Sequence, residues 1–486
     1  MEKYLKKYNS MPKQVRASIW FFICSFLQKA ITAITTPIFT RIMTSAEFGQ
    51  FNVYLSWQSI LSIFLTLNLC YGYYTQGLVK YEEDRNNFIS SLQGFTILLL
   101  GIWTLVYLPV HALINQWLSL TTVQVICLII TVWTTTVYCF WAAEQRVIYS
   151  YRRLVITTLV VSVVKPIIEV VLILHSSDKV TARIIGILIA ELLGYGWMFV
   201  AQMRRGGKLY SKRYWKSSIT FGVPMVPHYL SQTVLNSSDR IMIKHMVSDS
   251  KAGIYSLAYS VSMIMNMFNT ALTQSIGPWV YQKIKEKRVE EIGPALEPTI
   301  VFIALVNVFL IALAPEVVRF FAPREYYEAI WTIPPVVMSV YFIYLYSLFS
   351  YIEFYYEKST YIATATFIAA VANVILNFIG IRIFGYIVAG YTTLICFAVY
   401  AIGHFFVMNS ILKRYFGGAK IFDGFRLTAI TIVFMAVGFL FCALYKHTLV
   451  RYGLLGAMTV LIIIKRKWLA DLVRDIMKKR SSGSTV

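Results

Sequence analysis

The sequence predicts an all-α membrane protein that crosses the bilayer many times. Of its 486 residues, 58% are hydrophobic and 14% are charged, and the mean hydropathy is +0.63. A soluble domain carries roughly a quarter charged residues. The apolar runs match the ~20 residues that a spanning helix needs. They do not alternate like the ~10-residue strands of a membrane barrel, so helices are expected.

Fourteen apolar runs follow one another along the chain. The predicted spans are 17–40, 51–74, 88–110, 119–141, 154–174, 183–203, 218–244, 253–277, 295–313, 329–353, 362–381, 387–411, 427–445 and 452–464. The last run is short and has a basic residue at each end. Architectures with twelve or thirteen spans are therefore kept as alternatives to fourteen.

The distribution of lysine and arginine predicts the orientation. With fourteen spans, the two termini and the connections on their side hold 32 basic residues, and the opposite connections hold ten. Cytoplasmic connections are enriched in Lys and Arg, so both termini are predicted to lie in the cytoplasm. The net charge of +22 is dispersed among these short connections. This dispersal argues for topology signals beside an anionic membrane and against a nucleic-acid partner.

Several further classes of site are not expected. The six cysteines lie within apolar runs and match no metal or disulfide spacing, so they are interpreted as packing residues. The first run is too long for a cleavable signal peptide and lacks a small-residue cleavage site. The sequence contains no GxxxxGK[ST] nucleotide loop, and no cofactor is predicted. The cysteines are Cys24, Cys70, Cys127, Cys139, Cys396 and Cys442.

A weak internal repeat predicts two related halves. An offset of 204 residues aligns Gly49 with Gly253 and Ser56 with Ser260, each pair in a span, polar turn and second span. Two related six-helix halves with a substrate site between them are a common transporter plan. The predicted organisation is a bundle at 1–203, a basic cytoplasmic linker at 204–217, a second bundle at 218–411, and a helix pair with a basic tail at 412–486.

Charged residues within the spans are the candidate functional residues. A charge at the centre of a bilayer costs roughly 2.5–3.5 kcal/mol on insertion scales, so it needs a partner or a watery cavity. Lys29 has no opposite charge within one turn, which favours a cavity or a contact with another helix. The cations are Lys29, Lys165 and Arg240 within the spans and Arg41 at the outer end of the first span, and the acids are Glu169, Glu191 and Asp239.

Some of these residues have a plain structural interpretation as well. Lys165 and Glu169 lie one turn apart, so an ion pair within one helix is an equal alternative. Glu353 lies near a span end and is interpreted as interfacial. Pro224 and Pro227 remove backbone donors from the seventh span and predict a bend or hinge there.

Four segments resemble the polysaccharide-transporter branch of the multidrug/oligosaccharidyl-lipid/polysaccharide (MOP) superfamily, the Wzx-type O-antigen and capsule repeat-unit flippases. They read TRIMTSAEFGQFNVY, SSDRIMIKHMVSDSKAGIYSLAY, LAPEVVRFFAPREYYEAIWTIPP and NVILNFIGIRIFGYIVAGYTT. The resemblance implies two six-helix bundles in a V around a central cavity. It also implies a flippase that carries an undecaprenyl-diphosphate-linked oligosaccharide to the outer leaflet of the cytoplasmic membrane. The extra C-terminal helix pair departs from the twelve spans of many such flippases.

That substrate gives the buried cations a role. Lys29, Arg41, Lys165 and Arg240 are predicted to offset the diphosphate charge by ion pairing. The acids are predicted to balance these cations or to couple transport to an ion gradient. The expected partners are the lipid-linked glycan and membrane lipids, with a glycan polymerase and chain-length machinery as further candidates.

Three other functions are kept as alternatives. A lipid II flippase shares the fold and the cations, and its family has fourteen spans. A drug or cation antiporter of the same superfamily needs a cavity rich in carboxylates, whereas three cations lie within these spans. A membrane glycan polymerase is the enzyme alternative, and it usually needs a sizeable outer loop.

Overall fold

The computed structural model describes residues 13–70, 73–356 and 359–464, and most of them are helical. Within these ranges there are sixteen α-helices and no β-strand. The helices are α1 Lys13–Ile42, α2 Ser45–Thr66, α3 Tyr73–Lys80, α4 Arg85–Leu118, α5 Thr122–Val147, α6 Tyr151–Leu174, α7 Lys179–Gly206, α8 Lys212–Met246, α9 Asp249–Lys285, α10 Ile292–Ala312, α11 Ala314–Phe321, α12 Ile333–Tyr355, α13 Ser359–Phe384, α14 Val388–Tyr415, α15 Gly424–Ala443 and α16 Thr448–Ile464. The all-α prediction is confirmed.

Each of the fourteen predicted spans overlaps one of these helices. In the described part of the chain, ten segments are long and apolar enough to cross a membrane. Helices α2, α8 and α9 are also long enough, with 22, 35 and 37 residues, but carry more polar side chains. The chain is therefore a multi-pass membrane protein, and the number fourteen stays a prediction.

The connection between α1 and α2 is shorter than the sequence suggests. The backbone N–H of Glu47 donates to Thr44 Oγ1 at 3.3 Å, and the Thr44 N–H donates to Glu47 Oε2 at 2.7 Å. This reciprocal capping box satisfies free donors at the helix start. As a result α2 begins at Ser45 rather than at the predicted residue 51, and it ends at Thr66.

The chain divides into two compact units, Met1–Gly253 and Ile254–Val486. In the first unit α6 and α7 pack most extensively on each other, and α7 also packs on α4 and α5. In the second unit α14 packs on α12 and α13, and α10 packs on α12 and α15. The two predicted six-helix halves are based on the sequence repeat, and the two packing units do not test them, so they stay a prediction.

One pair of cysteines corrects the sequence interpretation. Cys70 and Cys139 form a disulfide with a Cα–Cα distance of 6.1 Å, although 69 positions separate them in the sequence. Helix α3, which follows Cys70, packs on α5, which carries Cys139, so the fold brings the two thiols together. Spacing along the chain does not reveal such a contact. The other four cysteines are buried thiols, in agreement with their interpretation as packing residues.

Candidate functional site

The charged residues of α6 and α7 pair between helices rather than within one. Lys165 Nζ lies 2.8 Å from Glu191 Oε1. The hydroxyls of Thr134 and Thr135 on α5 donate to Glu191 Oε2 at 2.8 and 3.1 Å. The side chain of Lys165 is 31% exposed and that of Glu191 is 8% exposed. The Lys165 side chain is therefore accessible from outside the protein, while the Glu191 carboxylate is enclosed and hydrogen-bonded.

Glu169 pairs with Arg183 at 3.0 Å from Nε to Oε2, and both side chains are less than 10% exposed. The Arg183 guanidinium also lies over the rings of Phe39 and Phe51, 3.6 and 3.7 Å from their centroids. The alternative of an ion pair between Lys165 and Glu169 is thus wrong. One turn of helix brings the two residues to the same face, but their nearer partners lie on α7.

Lys29 lies near the middle of α1 with an exposed side chain. It forms no ion pair with any residue that the structure describes. Its neighbour Gln28 donates to Ser162 Oγ on α6 at 3.5 Å, and α1 packs along α6. Lys29 is therefore a mid-helix cation without a carboxylate partner in the described ranges, on the helix that packs against the one bearing Lys165.

The other predicted cations lie near helix ends. Arg41 is exposed and donates to the Pro37 carbonyl oxygen at 2.8 Å, one turn back in α1. Arg240 on α8 is half-buried and donates to the Asn236 carbonyl at 3.4 Å. Asp239, beside it, is 1% exposed. Adjacent residues on a helix face different directions, and their burial differs accordingly.

Helix α8 runs unbroken through Pro224 and Pro227. A backbone departure from helical geometry occurs instead in α4, where Val110 after Pro109 has φ −113° and ψ 15°. The hinge assigned to Pro224 and Pro227 therefore stays a prediction.

The repeat-related turns meet within the first unit. A Cβ at Gly49 would lie 2.0 Å from the Asp249 carbonyl oxygen, and a Cβ at Gly253 would lie 2.0 Å from the Ser45 carbonyl oxygen. Ser45 and Asp249 are themselves 204 positions apart, so the contact has the register of the sequence repeat. Only glycine allows such close approach of two helices. Ser45 Oγ also hydrogen-bonds Ser250 Oγ at 2.8 Å.

A second charge network lies at the ends of α5 and α7 around the buried carboxylate of Glu144, and the sequence does not predict it. Arg205 binds Glu144 through two nitrogens at 2.7 and 2.8 Å. Gln202 donates to the same carboxylate at 3.2 Å, and Gln93 donates to Gln202 at 2.6 Å. Glu144 follows the predicted fourth span, 119–141, so a search for charges within the spans does not include it. The position of Glu144, directly after a long apolar run, is the sequence feature that could have indicated a buried charge.

The second unit contains a sealed acid–base pair that corrects another interpretation. Both carboxylate oxygens of Glu353 lie 2.8 Å from His404 Nδ1. The side chains are 0% and 1% exposed, so Glu353 is buried rather than interfacial. His404 also contacts the Tyr400 and Tyr346 rings, with centroids 4.4 and 5.6 Å away. A histidine in the apolar run of α14 was the signal that sequence reasoning did not use.

Amides and hydroxyls form a separate buried cluster in the second unit. Asn373 and Asn377 are one turn apart on α13, as their spacing predicts, and Asn377 donates to Asn373 at 3.1 Å. Asn373 donates to Thr393 at 3.3 Å, and Thr392 donates to Asn377. Within the described ranges no three His, Cys, Asp or Glu side chains converge as a metal site would require.

The first unit therefore holds cations on helices α1, α6, α7 and α8, some of them paired and some exposed. Such an arrangement can bind an anion by ion pairing without covalent chemistry. Comparisons with known proteins identify the family to which this part of the chain belongs. The family described as "Polysaccharide biosynthesis protein" matches residues 15–283, more than half of the chain. The family described as "MatE" matches residues 224–379.

Individual proteins are similar to this chain in sequence or in fold. The chain is 27% identical over 120 residues to "Lsg locus putative protein 1" of Haemophilus influenzae, which is 24% of this chain and 30% of that protein. The match thus spans less than a third of that relative's length. The fold is similar to that of the lipid II flippase MurJ in an inward closed conformation, with a TM-score of 0.65 and 15% identity over 89% of this chain and 100% of the other.

A multidrug resistance MATE family transporter of the MOP superfamily, in an inward-facing conformation, gives a TM-score of 0.63 and 14% identity over 80% of this chain and 96% of the other. Both structural neighbours are membrane transporters or flippases, and at these identities they establish the fold alone. The matching family covers the region that holds every predicted cation and carboxylate, from Lys29 to Arg240. On these findings, the chain belongs to the family described as polysaccharide biosynthesis protein.

Proposed function

We propose that this protein is a flippase that moves undecaprenyl-diphosphate-linked oligosaccharide repeat units across the bacterial cytoplasmic membrane for O-antigen, capsule or exopolysaccharide synthesis. The observation that carries the proposal is Lys29. It is an exposed cation near the middle of α1, with no ion-pair partner among the described residues, in a chain of the polysaccharide biosynthesis family. A cation at that depth is costly unless an anion or water meets it.

The Lys165–Glu191 pair offers a way to bind and release a diphosphate. Lys165 is partly exposed, so an arriving phosphate competes with Glu191 for its ammonium. When the ammonium turns to the phosphate, the hydroxyls of Thr134 and Thr135 continue to solvate the Glu191 carboxylate. This exchange lowers the cost of leaving a buried carboxylate unpaired. Arg41 and Arg240 are further counter-charges in the proposal.

Ion-gradient coupling is the proposed source of energy. Glu191 is the first candidate, because a proton or a cation there replaces Lys165 as its partner while the substrate holds the lysine. Glu169 and Asp239 are the remaining candidates, and both are buried. Pro224 and Pro227 are proposed to let α8 bend as the protein changes conformation.

The proposed setting is the cytoplasmic membrane with both termini inside. The partners are the lipid-linked glycan, membrane lipids, and a polymerase and chain-length regulator that use the translocated unit. In this proposal the protein makes no covalent change in its substrate and acts as a transporter rather than as an enzyme.

The test is complementation of strains that lack one repeat-unit flippase, with surface glycan and lipid-linked intermediates measured together. Lys29→Gln is expected to abolish surface glycan and to accumulate lipid-linked repeat units, since it removes the mid-helix charge and retains most of the length. Lys29→Arg keeps the charge and is expected to retain much of the activity.

Lys216→Gln is the matched control, because it removes an exposed lysine of the linker region at the start of α8. It should leave glycan levels unchanged. Normal surface glycan in Lys29→Gln, at equal protein in the membrane, would remove Lys29 from the mechanism.

A lipid II flippase is the second candidate. It is favoured by the coverage of the MurJ similarity, which extends over 89% of this chain, and by the helix pair α15 and α16. Complementation of a strain depleted of its lipid II flippase separates the two: growth rescue there, without rescue of repeat-unit export, would replace the first proposal with this one.

A further inference from the structure

A cavity of about 460 Å³ lies in the first unit where α5, α6 and α7 meet. Its principal side chains are Trp141, Gln145, Arg152, Arg153, Trp197 and Arg205. None of the residues assigned to the lipid-linked substrate lines it. The charge distribution predicts that this end of the three helices faces the cytoplasm.

The cavity has an excess of positive charge. Arg205 is neutralised by its two bonds to Glu144. Arg152 and Arg153 are exposed, and neither forms an ion pair with a described carboxylate. Both belong to the first turn of α6, which contains no acidic residue and has no side-chain cap. The dipole of a helix favours an anion at this end, so two cations there are unfavourable until an anion binds.

Gln145 places a buried amide group in the wall of the cavity. Its side chain lines the cavity, the residue is 4% exposed, and the side chain makes no hydrogen bond to another described residue. Buried amides normally find a partner, because leaving them unpaired is costly. A ligand with acceptor oxygens inside the cavity would satisfy the amide donors of Gln145.

The surface beside the cavity is apolar and open. Along α6, Ile156 and Val160 are 64% and 54% exposed, and along α7, Trp197 and Leu193 are 50% and 72% exposed. Each pair is spaced by four residues, so the four side chains continue away from the arginines along the two helices. Exposed apolar side chains on a membrane helix face acyl chains, and tryptophan is favoured at the level of the head groups.

From these observations we infer that the cavity binds the phosphate of an anionic membrane lipid. Arg152 and Arg153 pair with the phosphate oxygens, Gln145 donates a hydrogen bond, and the acyl chains lie along Ile156 and Trp197. Arginine forks match phosphate geometry, and basic pockets between membrane helices bind anionic head groups. The phosphate has two sources, a glycerophospholipid such as phosphatidylglycerol or a polyprenyl diphosphate.

The experiment uses the full-length protein in nanodiscs of phosphatidylcholine alone, with added phosphatidylglycerol, or with added undecaprenyl diphosphate. Native mass spectrometry after release from the discs measures which lipid stays bound. The test variant is Arg152→Gln with Arg153→Gln. The control variant is Arg146→Gln with Arg204→Gln, which removes two exposed arginines from the same helix ends outside the cavity lining.

The wild type is expected to retain an anionic lipid, the control variant to retain it equally, and the test variant to bind it roughly tenfold more weakly. Retention of phosphatidylglycerol identifies a glycerophospholipid site, and selective retention of undecaprenyl diphosphate identifies a waiting site for the substrate lipid. Equal loss in both variants, or no anionic lipid on the wild type, overturns the inference. Thermal unfolding of each variant distinguishes lost binding from lost fold.

The presence of the lipid site is measured independently of the proposed function, and only the interpretation of bound undecaprenyl diphosphate as substrate lipid rests on that function. Lipid retention is measured without transport, so a protein that fails to export glycan can still show this site. Conversely, a failure of the lipid site leaves the Lys29 experiment unaffected.

Discussion

One buried pair from each unit, Lys165–Glu191 and Glu353–His404, shows how access from outside differs between such pairs. In the first unit Lys165–Glu191 and Arg183–Glu169 join neighbouring helices, and the lysine of the first pair is 31% exposed. In the second unit Glu353 and His404 are 0% and 1% exposed. A partly exposed pair can exchange its partner for a passing ion, whereas a sealed pair loses its whole solvation when it is broken. The difference supports the proposal that Lys165 and Glu191 take part in binding, and it predicts a structural role for Glu353 and His404.

The two pairs also differ in the other hydrogen-bonding groups that surround them. Thr134 and Thr135 provide Glu191 with hydrogen bonds that do not depend on the lysine. Around His404 the neighbours are the Tyr346 and Tyr400 rings, and the Tyr400 hydroxyl is occupied by Thr366 at 2.9 Å. Glu191 therefore keeps hydrogen-bond donors when Lys165 leaves, whereas these contacts provide no replacement for Glu353 beside His404.

The largest expected effect comes from breaking the sealed pair. Glu353→Ala leaves His404 without its carboxylate in a fully buried position and should lower the free energy of unfolding by about 3–5 kcal/mol. Unfolding by denaturant in detergent micelles measures the change. Glu353→Gln, which retains an acceptor for Nδ1, is the milder control. An alanine variant as stable as the wild type would refute the structural role of this pair.

A smaller loss of stability is expected at Arg183, which is buried and stacks on the rings of Phe39 and Phe51. Arg183→Lys keeps the charge and loses the planar contact with Phe39 and Phe51, so a loss of about 1–2 kcal/mol is expected from the stacking alone. The same unfolding measurement applies. If Phe51→Leu in the lysine background causes no further loss while it destabilises the wild type, the stacking accounts for the difference.

The smallest effect on stability is expected at Lys165. Because Lys165 is 31% exposed and Thr134 and Thr135 still hydrogen-bond the Glu191 carboxylate, Lys165→Gln should change the free energy of unfolding by only about 1 kcal/mol. Glycan export, by contrast, should fall severalfold. A variant that is strongly destabilised, or one that exports normally, would erase the distinction between the exchangeable and the sealed pairs.

Sequence reasoning located the helices well and their neighbours poorly. The span at 154–174 became α6, Tyr151–Leu174, and the span at 387–411 became α14, Val388–Tyr415. Lys165, Glu169 and Glu191 were identified as costly charges from their depth alone. Their partners were not, because hydropathy gives depth along a helix and carries little information on rotation about its axis. Glu353 was misplaced for this reason: its depth suggested the interface, and its rotation buries it against α14.

The sequence by itself determined the class of the protein, the positions of its helices and the register of its repeat. In a membrane the backbone must satisfy its hydrogen bonds locally, so long apolar runs become helices wherever they occur. The tertiary structure alone decided that Arg183 takes Glu169, that Cys70 meets Cys139, and that Gly49 rests against Asp249. These contacts depend on which faces of distant helices pack together, and that is set by close packing over many residues rather than by any short segment.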